Sequence, residues 1–242
     1  MKILVTGNEG FIGQRLMSEL YRHDNFHVIG MDVKNGNDIL YADLPNDIDY
    51  VFHLAAQAGA IPSMEDPVHD ARQNILCTIR IAKKYAHTAT RIIYTTSGGA
   101  ISPESPYGLS KKTGEEYLKM LAPDNTVICR LSSIYGDKPR GVVDTFIRGA
   151  SCNIMGDGSS TRDFVHVDDI ARGLVKAMKW DPGEYSMGSG IPTTVEEVAR
   201  ATGKEIEYLP SRKGEIHTAV LPNTTPDWKP ERKVLDYVRS KC

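Results

Sequence analysis

The chain has 242 residues, a formal net charge of −2, and 40% apolar and 25% charged residues. This length buries one sizeable core with room for a small second lobe, and the composition excludes a disordered chain. The near-balanced charge offers no footing for nucleic acid or an anionic membrane, and no apolar run approaches the roughly 18 residues that span a bilayer.

Met1 to Gly7 pairs a lysine with a short apolar run, but breaks into Gly-Asn-Glu-Gly too early for a signal peptide, so Ile3–Thr6 reads as a strand. Further β-branched runs predict strands at Val28–Asp32, Tyr50–Leu54, Arg91–Thr95 and Val127–Leu131. Helical periodicity falls between them at Gly13–Arg22, Val68–Tyr85 and Tyr107–Leu121. Lys34 to Asp49 leaves room only for a short strand and a turn around Pro45. After Gly136 short elements alternate with loops, and Arg162–Trp180 gives one more helix, beginning near Val167-Asp168-Asp169. The tail from Gly183 is proline-bearing and reads as a loop-rich cap.

This alternation predicts an α/β fold with a doubly wound parallel sheet. Residues 1–135 and 165–182 form the expected core, and 136–164 with 183–242 a small, discontinuous substrate-binding lobe. Cys77, Cys129, Cys152 and Cys242 form no CxxC pair, which argues against a metal site or disulfide framework and for a reducing, cytoplasmic setting.

The first strand runs directly into Gly7-Asn8-Glu9-Gly10-Phe11-Ile12-Gly13 and then a helix. Glycines there allow a tight turn and a close approach of backbone to a pyrophosphate, and the helix N-terminus offers free N–H groups. Asp32, about twenty residues on at a strand end, is placed to accept hydrogen bonds from a ribose and to repel a 2′-phosphate. This favours NAD over NADP, a preference that Lys34 weakens; the competing reading of Asp32 is a solvated turn residue.

The fourth strand leads to Ser97, and ten residues later comes Tyr107-Gly108-Leu109-Ser110-Lys111. Residues four apart share a helix face, so a lysine at 111 favours the phenolate of Tyr107 and makes it a usable base. Tyr237 and Lys241 repeat the spacing with no serine-ending strand before them, and read as a surface helix. His53 and His166 read as structural histidines before they read as acids or bases.

Together these strings resemble the NAD-dependent epimerase/dehydratase family of extended short-chain dehydrogenases, which act on nucleotide sugars. The resemblance runs from Thr6-Gly7 through His53–Gly59, Asn74, Ser97, Tyr107/Lys111 and Arg130…Ile134-Tyr135-Gly136 to Gly156-Asp157-Gly158 and Thr161–Asp169. It implies a Rossmann core binding NAD through Gly7, Gly10, Phe11, Ile12, Gly13, Asp32, Asp38, Ile39, Leu54, Ala55, Ala56, Gln57, Ala58, Asn74, Tyr107 and Lys111. Asp43-Leu44 rivals Asp38-Ile39 beside the adenine. Ser97, Tyr107 and Lys111 would be catalytic, and Ser97, Ser133, Arg162, Arg212 and Ala219 would meet the nucleotide sugar. Two arginines suit a diphosphate because each forms paired, charge-assisted bonds.

Dehydratases of this family place an Asp-Glu pair directly after the strand-end hydroxyl, where this chain has Gly98-Gly99. The stretch also lacks a decarboxylase's glutamate and an epimerase/reductase's cysteine. What remains is inversion at carbon 4 of a UDP-hexose or UDP-N-acetylhexosamine through a transient 4-keto sugar. A 4-keto reductase or dehydrogenase would need the same three groups, and a non-catalytic NAD sensor is a third reading. The chain departs from the family in its short 34–49 and 97–107 segments, in Ile101-Ser102, and in Ser133 where an asparagine is usual. At Ala219 the family gates the sugar's 2-substituent, and a small residue implies tolerance of N-acetyl. Family practice also implies a homodimer built on the helices of Asn74 and Tyr107, with Ile75, Ile79, Ala82, Leu118 and Leu121 as contact residues or as residues facing the sheet.

Overall fold

The computed structural model describes residues 1–137, 141–211 and 218–242. The chain divides into two compact units, Met1–Arg130 with Ala171–Tyr185, and Leu131–Ile170 with Ser186–Cys242.

The first unit starts with β1 (Lys2–Thr6), α1 (Phe11–Leu20), β2 (His27–Met31) and β3 (Tyr50–His53). It continues through α2 (Ala60–Glu65), α3 (Pro67–Ala71), a π-helical turn at Arg72–Leu76, and α4 (Cys77–Tyr85). β4 (Arg91–Ser97), α5 (Pro106–Leu121) and β5 (Thr126–Leu131) follow. With β9 (Gly183–Met187) the strands form one sheet in the order β2-β1-β3-β4-β5-β9, and β1 pairs parallel with both β2 and β3. In β1 and β4 the interior positions are buried on both faces, which is why they read as unbroken apolar runs. Leu4, Val51, Ile81, Ile92, Tyr94 and Leu118 centre the core between the sheet and α4/α5. Helix α5 starts where Ser105 accepts the N–H of Gly108 at 3.2 Å and Pro106 occupies its first turn.

The second unit holds β6 (Ser133–Tyr135), α6 (Gly141–Arg148), β7 (Cys152–Met155), β8 (Thr161–His166) and the start of α7 (Val167–Ala177). After β9 come β10 (Pro192–Thr194), α8 (Val195–Arg200), β11 (Ile206–Leu209), β12 (Thr218–Ala219) and α9 (Val234–Lys241). β10 and β12 flank β8, β6 also pairs β8, and β11 pairs β7. Tyr135, Phe146, Ile154, Phe164, Val198 and Val238 form its core. Thr194 and Glu197 cap α8 reciprocally, and the Lys204 ammonium closes α6 on the carbonyls of Phe146, Ile147 and Gly149.

The doubly wound α/β fold expected from the sequence is present, with four local corrections. Thr161–His166, read as the approach to a helix, is a strand whose Phe164–His166 are buried. Residues 34–49 contain no strand; a capped 3₁₀ turn at Val33–Asn35 leads to loops that bury Ile39, Leu44 and Ile48. The helix expected at Val68–Tyr85 contains the π turn, and the tail carries regular elements between its prolines. No helix among the described residues is long and apolar enough to cross a membrane.

Candidate active site

The Gly7–Gly13 loop has the shape a pyrophosphate needs. Gly7 sits at φ +73°, and a β-carbon there would stand 2.7 Å from the Ala55 nitrogen. A β-carbon on Gly13 would meet the Gly7 carbonyl oxygen at 2.1 Å, so only glycine lets α1 pack this closely on the loop. Helix α1 has neither a side-chain cap at Gly10 nor an acid in its first turn. Its first N–H groups, including those of Phe11 and Ile12, therefore face a place suited to an anion. Asp32 is 9% exposed, so it is not the solvated turn residue of the alternative reading. Its carboxylate accepts the N–H groups of Glu9 (3.1 Å) and Lys34 (3.0 Å), which fixes it at the end of β2. These residues fit an NAD, with Asp32 available to a ribose. Asp38 is half-buried and caps its own turn by accepting from the Leu40 N–H at 2.8 Å; Ile39, 3% exposed, belongs to the core. Of the rival pair, Asp43 is exposed and Leu44 buried.

Leu54, Ala55, Ala56, Gln57 and Ala58 form the half-buried irregular segment leaving β3. Thr6 holds its start, accepting the N–H groups of Leu54 on its carbonyl and Ala55 on its hydroxyl. Asn74, in the π turn, donates through Nδ2 to the Gln57 carbonyl (3.1 Å), Asp70 Oδ1 (2.9 Å) and Ser110 Oγ (2.9 Å). His53 is fully buried between the hydroxyls of Thr6 (2.8 Å) and Thr78 (3.0 Å). Burial, then the charge of Lys111, lowers its pKa to about 3, so it stays neutral and structural.

Ser97 ends β4 and accepts the Gly99 N–H at 3.1 Å, which leaves its hydroxyl proton to donate elsewhere. Tyr107 and Lys111 lie one turn apart on α5. Gly108 joins the two pieces: its β-carbon position is 2.8 Å from the Gly99 carbonyl oxygen, so α5 presses directly on the turn after Ser97. Ser63 of α2 accepts the Tyr107 N–H at 3.0 Å, a contact the sequence did not announce. Lys111 is 2% exposed, with Nζ 4.3 Å from the centroid of the Tyr94 ring. Burial lowers its pKa to about 7, against the opposing pull of Glu115 and Asp70.

In the second unit, Ser133, Ile134, Tyr135, Gly141, Val142, Val143, Arg162 and Phe164 line a cleft of about 370 Å³. Ser133 and Arg162 thus share one cavity, and Ala219 pairs in register with Arg162 across β12 and β8. Arg212 lies outside the described residues. His166 is buried, accepts the Asp168 N–H at 3.2 Å, and meets the rings of Tyr135 and Tyr237 edge-on. Helix α9 is packed rather than superficial: Val234 and Val238 are buried, and Asp137 takes both the Tyr237 hydroxyl and the Lys241 ammonium at 2.8 Å. No group of three or more metal-ligating side chains occurs among the described residues.

The family model described as "NAD dependent epimerase/dehydratase family" matches residues 3–188. The chain belongs to this family. It is 30% identical to the UDP-glucose 4-epimerase of Mycolicibacterium smegmatis over 312 aligned positions, covering 100% of this chain and 99% of that one. Since 242 residues are spread over those 312 positions, the chain is shortened at internal sites. Among solved structures, the Thermotoga maritima UDP-glucose 4-epimerase with UDP-glucose superposes with a TM-score of 0.85 at 29% identity, covering 99% of this chain and 96% of the other. The Bacillus cereus UDP-glucuronic acid 4-epimerase with UDP-glucuronic acid and NAD gives 0.88 at 27%, covering 100% and 98%. NAD is the cofactor of this epimerase/dehydratase family.

Proposed function

We propose that the protein is a nucleotide-sugar 4-epimerase that inverts carbon 4 of a UDP-hexose or UDP-N-acetylhexosamine. The observation that carries this reading is the turn after Ser97. It consists of Gly98, Gly99 and Ala100, and therefore holds no acid or base beside the Ser97, Tyr107 and Lys111 set. NAD, when bound, supplies a reversible hydride acceptor and donor. Tyr107 takes the proton of the 4-hydroxyl and later returns it; Lys111 favours the phenolate; Ser97 donates its free hydroxyl proton to the sugar oxygen. With no further acid or base at the turn, no side chain there would dehydrate a transient 4-keto sugar, which leaves inversion at carbon 4 as the outcome completed with the cofactor bound.

Gly7, Gly10, Phe11, Ile12 and Gly13 would hold the pyrophosphate, Asp32 and Lys111 the two riboses, and Leu54–Ala58 with Asn74 the rest of the cofactor. Ser133, Arg162 and Arg212 would hold the uridine diphosphate, and Ala219 would leave space for a 2-substituent. The related UDP-glucose and UDP-glucuronic acid 4-epimerases support this assignment. Incubation with UDP-glucose is expected to yield UDP-galactose with no net change in NADH absorbance, and UDP-N-acetylglucosamine is expected to turn over as well. Stoichiometric cofactor oxidation or reduction would instead make the protein a reductase or dehydrogenase. Failure on the N-acetyl sugar alone would remove the role of Ala219.

The reading includes a homodimer. Ala82 and Leu118, named from the sequence as contact candidates, are buried in the core, and Ile75, Ile79 and Leu121 are half-buried. The exposed apolar residues of these helices are Val68, Leu76, Leu109, Tyr117 and Met120, the last 78% exposed. They form the surface proposed to meet the second copy.

A further inference from the structure

Asp70 is 1% exposed, in the helical turn just before the π turn. Acids in a first helical turn ordinarily serve the helix dipole from the surface; this one points inward. Its Oδ1 accepts from Asn74 Nδ2 at 2.9 Å, and its Oδ2 has no hydrogen-bond partner. Asn74 also donates to Ser110 Oγ at 2.9 Å, and Ser110 donates to the Tyr107 carbonyl at 3.1 Å. One buried chain of polar groups therefore runs from Asp70 to the turn that carries the proposed base.

Lys111 stands beside this chain. The groups acting on it are Glu115 on its own helix and Asp70 on α3, with the Tyr94 ring of β4 against its ammonium and His53 of β3 feeling its charge; Asp70 is in turn faced by His69, Asn74 and Ser110. Both oxygens of Glu115 are already engaged by Arg130, at 3.1 and 2.6 Å. His53 is neutral, and the Tyr94 ring attracts the cation only through its π face. Asp70 is thus a buried carboxylate without an ion-pair partner among the described residues, and it acts on Lys111 through space by its charge. Burial raises its own pKa, which Ser110 and Lys111 oppose.

We propose that Asp70 is the counter-charge of the Lys111 ammonium and a positioning residue for proton transfer at Tyr107. It acts through Lys111 by charge and through Asn74 and Ser110 by hydrogen bonding. The proton-transfer half rests on the epimerase reading; the charge pairing does not. The test titrates the Lys111 ε-carbon by NMR in the ligand-free protein, with Lys111→Met giving the assignment. Asp70→Asn is expected to lower the Lys111 midpoint by about one unit, and to move the alkaline limb of kcat/KM downward by a similar amount. Asp70→Glu should restore both. An unchanged midpoint in folded Asp70→Asn overturns the proposal. Should that variant not fold, the coupling is read in reverse, because the influence of two sites on one another is mutual. The Asp70 carboxyl midpoint must then rise in Lys111→Met, and no change overturns the pairing. A shifted midpoint in a protein that epimerises no UDP-sugar supports the pairing and sinks the proposed function.

Discussion

The burial of Lys111 carries a cost that is expected to make the stability of the ligand-free protein depend on pH. Its usual value is 10.5, and in the fold it falls to about 7. Between those limits the unfolded chain binds a proton that the folded chain does not, so raising the pH favours the fold. Below about 7 both states are protonated and the slope vanishes. Stability should therefore rise from pH 7 toward 10 by up to ~1.4 kcal/mol per unit. Thermal melts of wild type should show this climb, and Lys111→Met should lose it. At this scale spacing was legible only with its context: the preceding strand that ends in Ser97 set Tyr107/Lys111 apart from the same interval at Tyr237/Lys241, and the structure places Ser97 at the end of β4 and the other two on α5. Ser63 and Asp70 were not legible, because what they do depends on residues 44 and 40 positions away: Ser63 meets Tyr107 directly, and Asp70 reaches Ser110 through Asn74.

The turn after β4 and the start of α5 meet at Gly108, and the fit leaves no space. Gly108→Ala would place a β-carbon 2.8 Å from the Gly99 carbonyl oxygen and 3.3 Å from the Pro103 α-carbon. Both neighbours are backbone and yield only if the turn moves. A stability loss of about 1–3 kcal/mol is expected from such overpacking, and a fall in kcat of about a hundredfold if the hydroxyl of Ser97 shifts from its position. Circular dichroism and steady-state kinetics would separate this from unfolding. Elements were readable where the pattern is uninterrupted, as in the continuously buried runs of β1 and β4 and along α5. β8 was misread because Thr161-Arg162-Asp163 is polar and the helical pattern of α7 follows without a break. The expected strand in 34–49 was lost to short local bonds: Asp32, Asn35 and Asp38 each turn the chain by capping nearby N–H groups.

For the molecule as a whole, the apolar residues left exposed on the first unit argue for self-association. Met120→Glu combined with Leu76→Glu would bring charge to that face without touching the core. Sedimentation should show wild type as a dimer and the variant as a monomer; a monomeric wild type would refute the partner. The second unit was the less legible half, since its strands are only two to six residues long and pair across distant stretches of sequence. One carboxylate holds much of that together. Asp163 accepts the N–H groups of Ser189, Gly190 and Leu221 and the Ser189 hydroxyl, while a β-carbon on Gly188 would fall 1.8 Å from the Leu221 carbonyl oxygen. A single buried anion is thus shared by β8, the loop after β9 and the chain beyond β12. Losing any one of these donors would leave a buried polar group short of partners, so the three stretches are expected to loosen together, like the parts of a clasp.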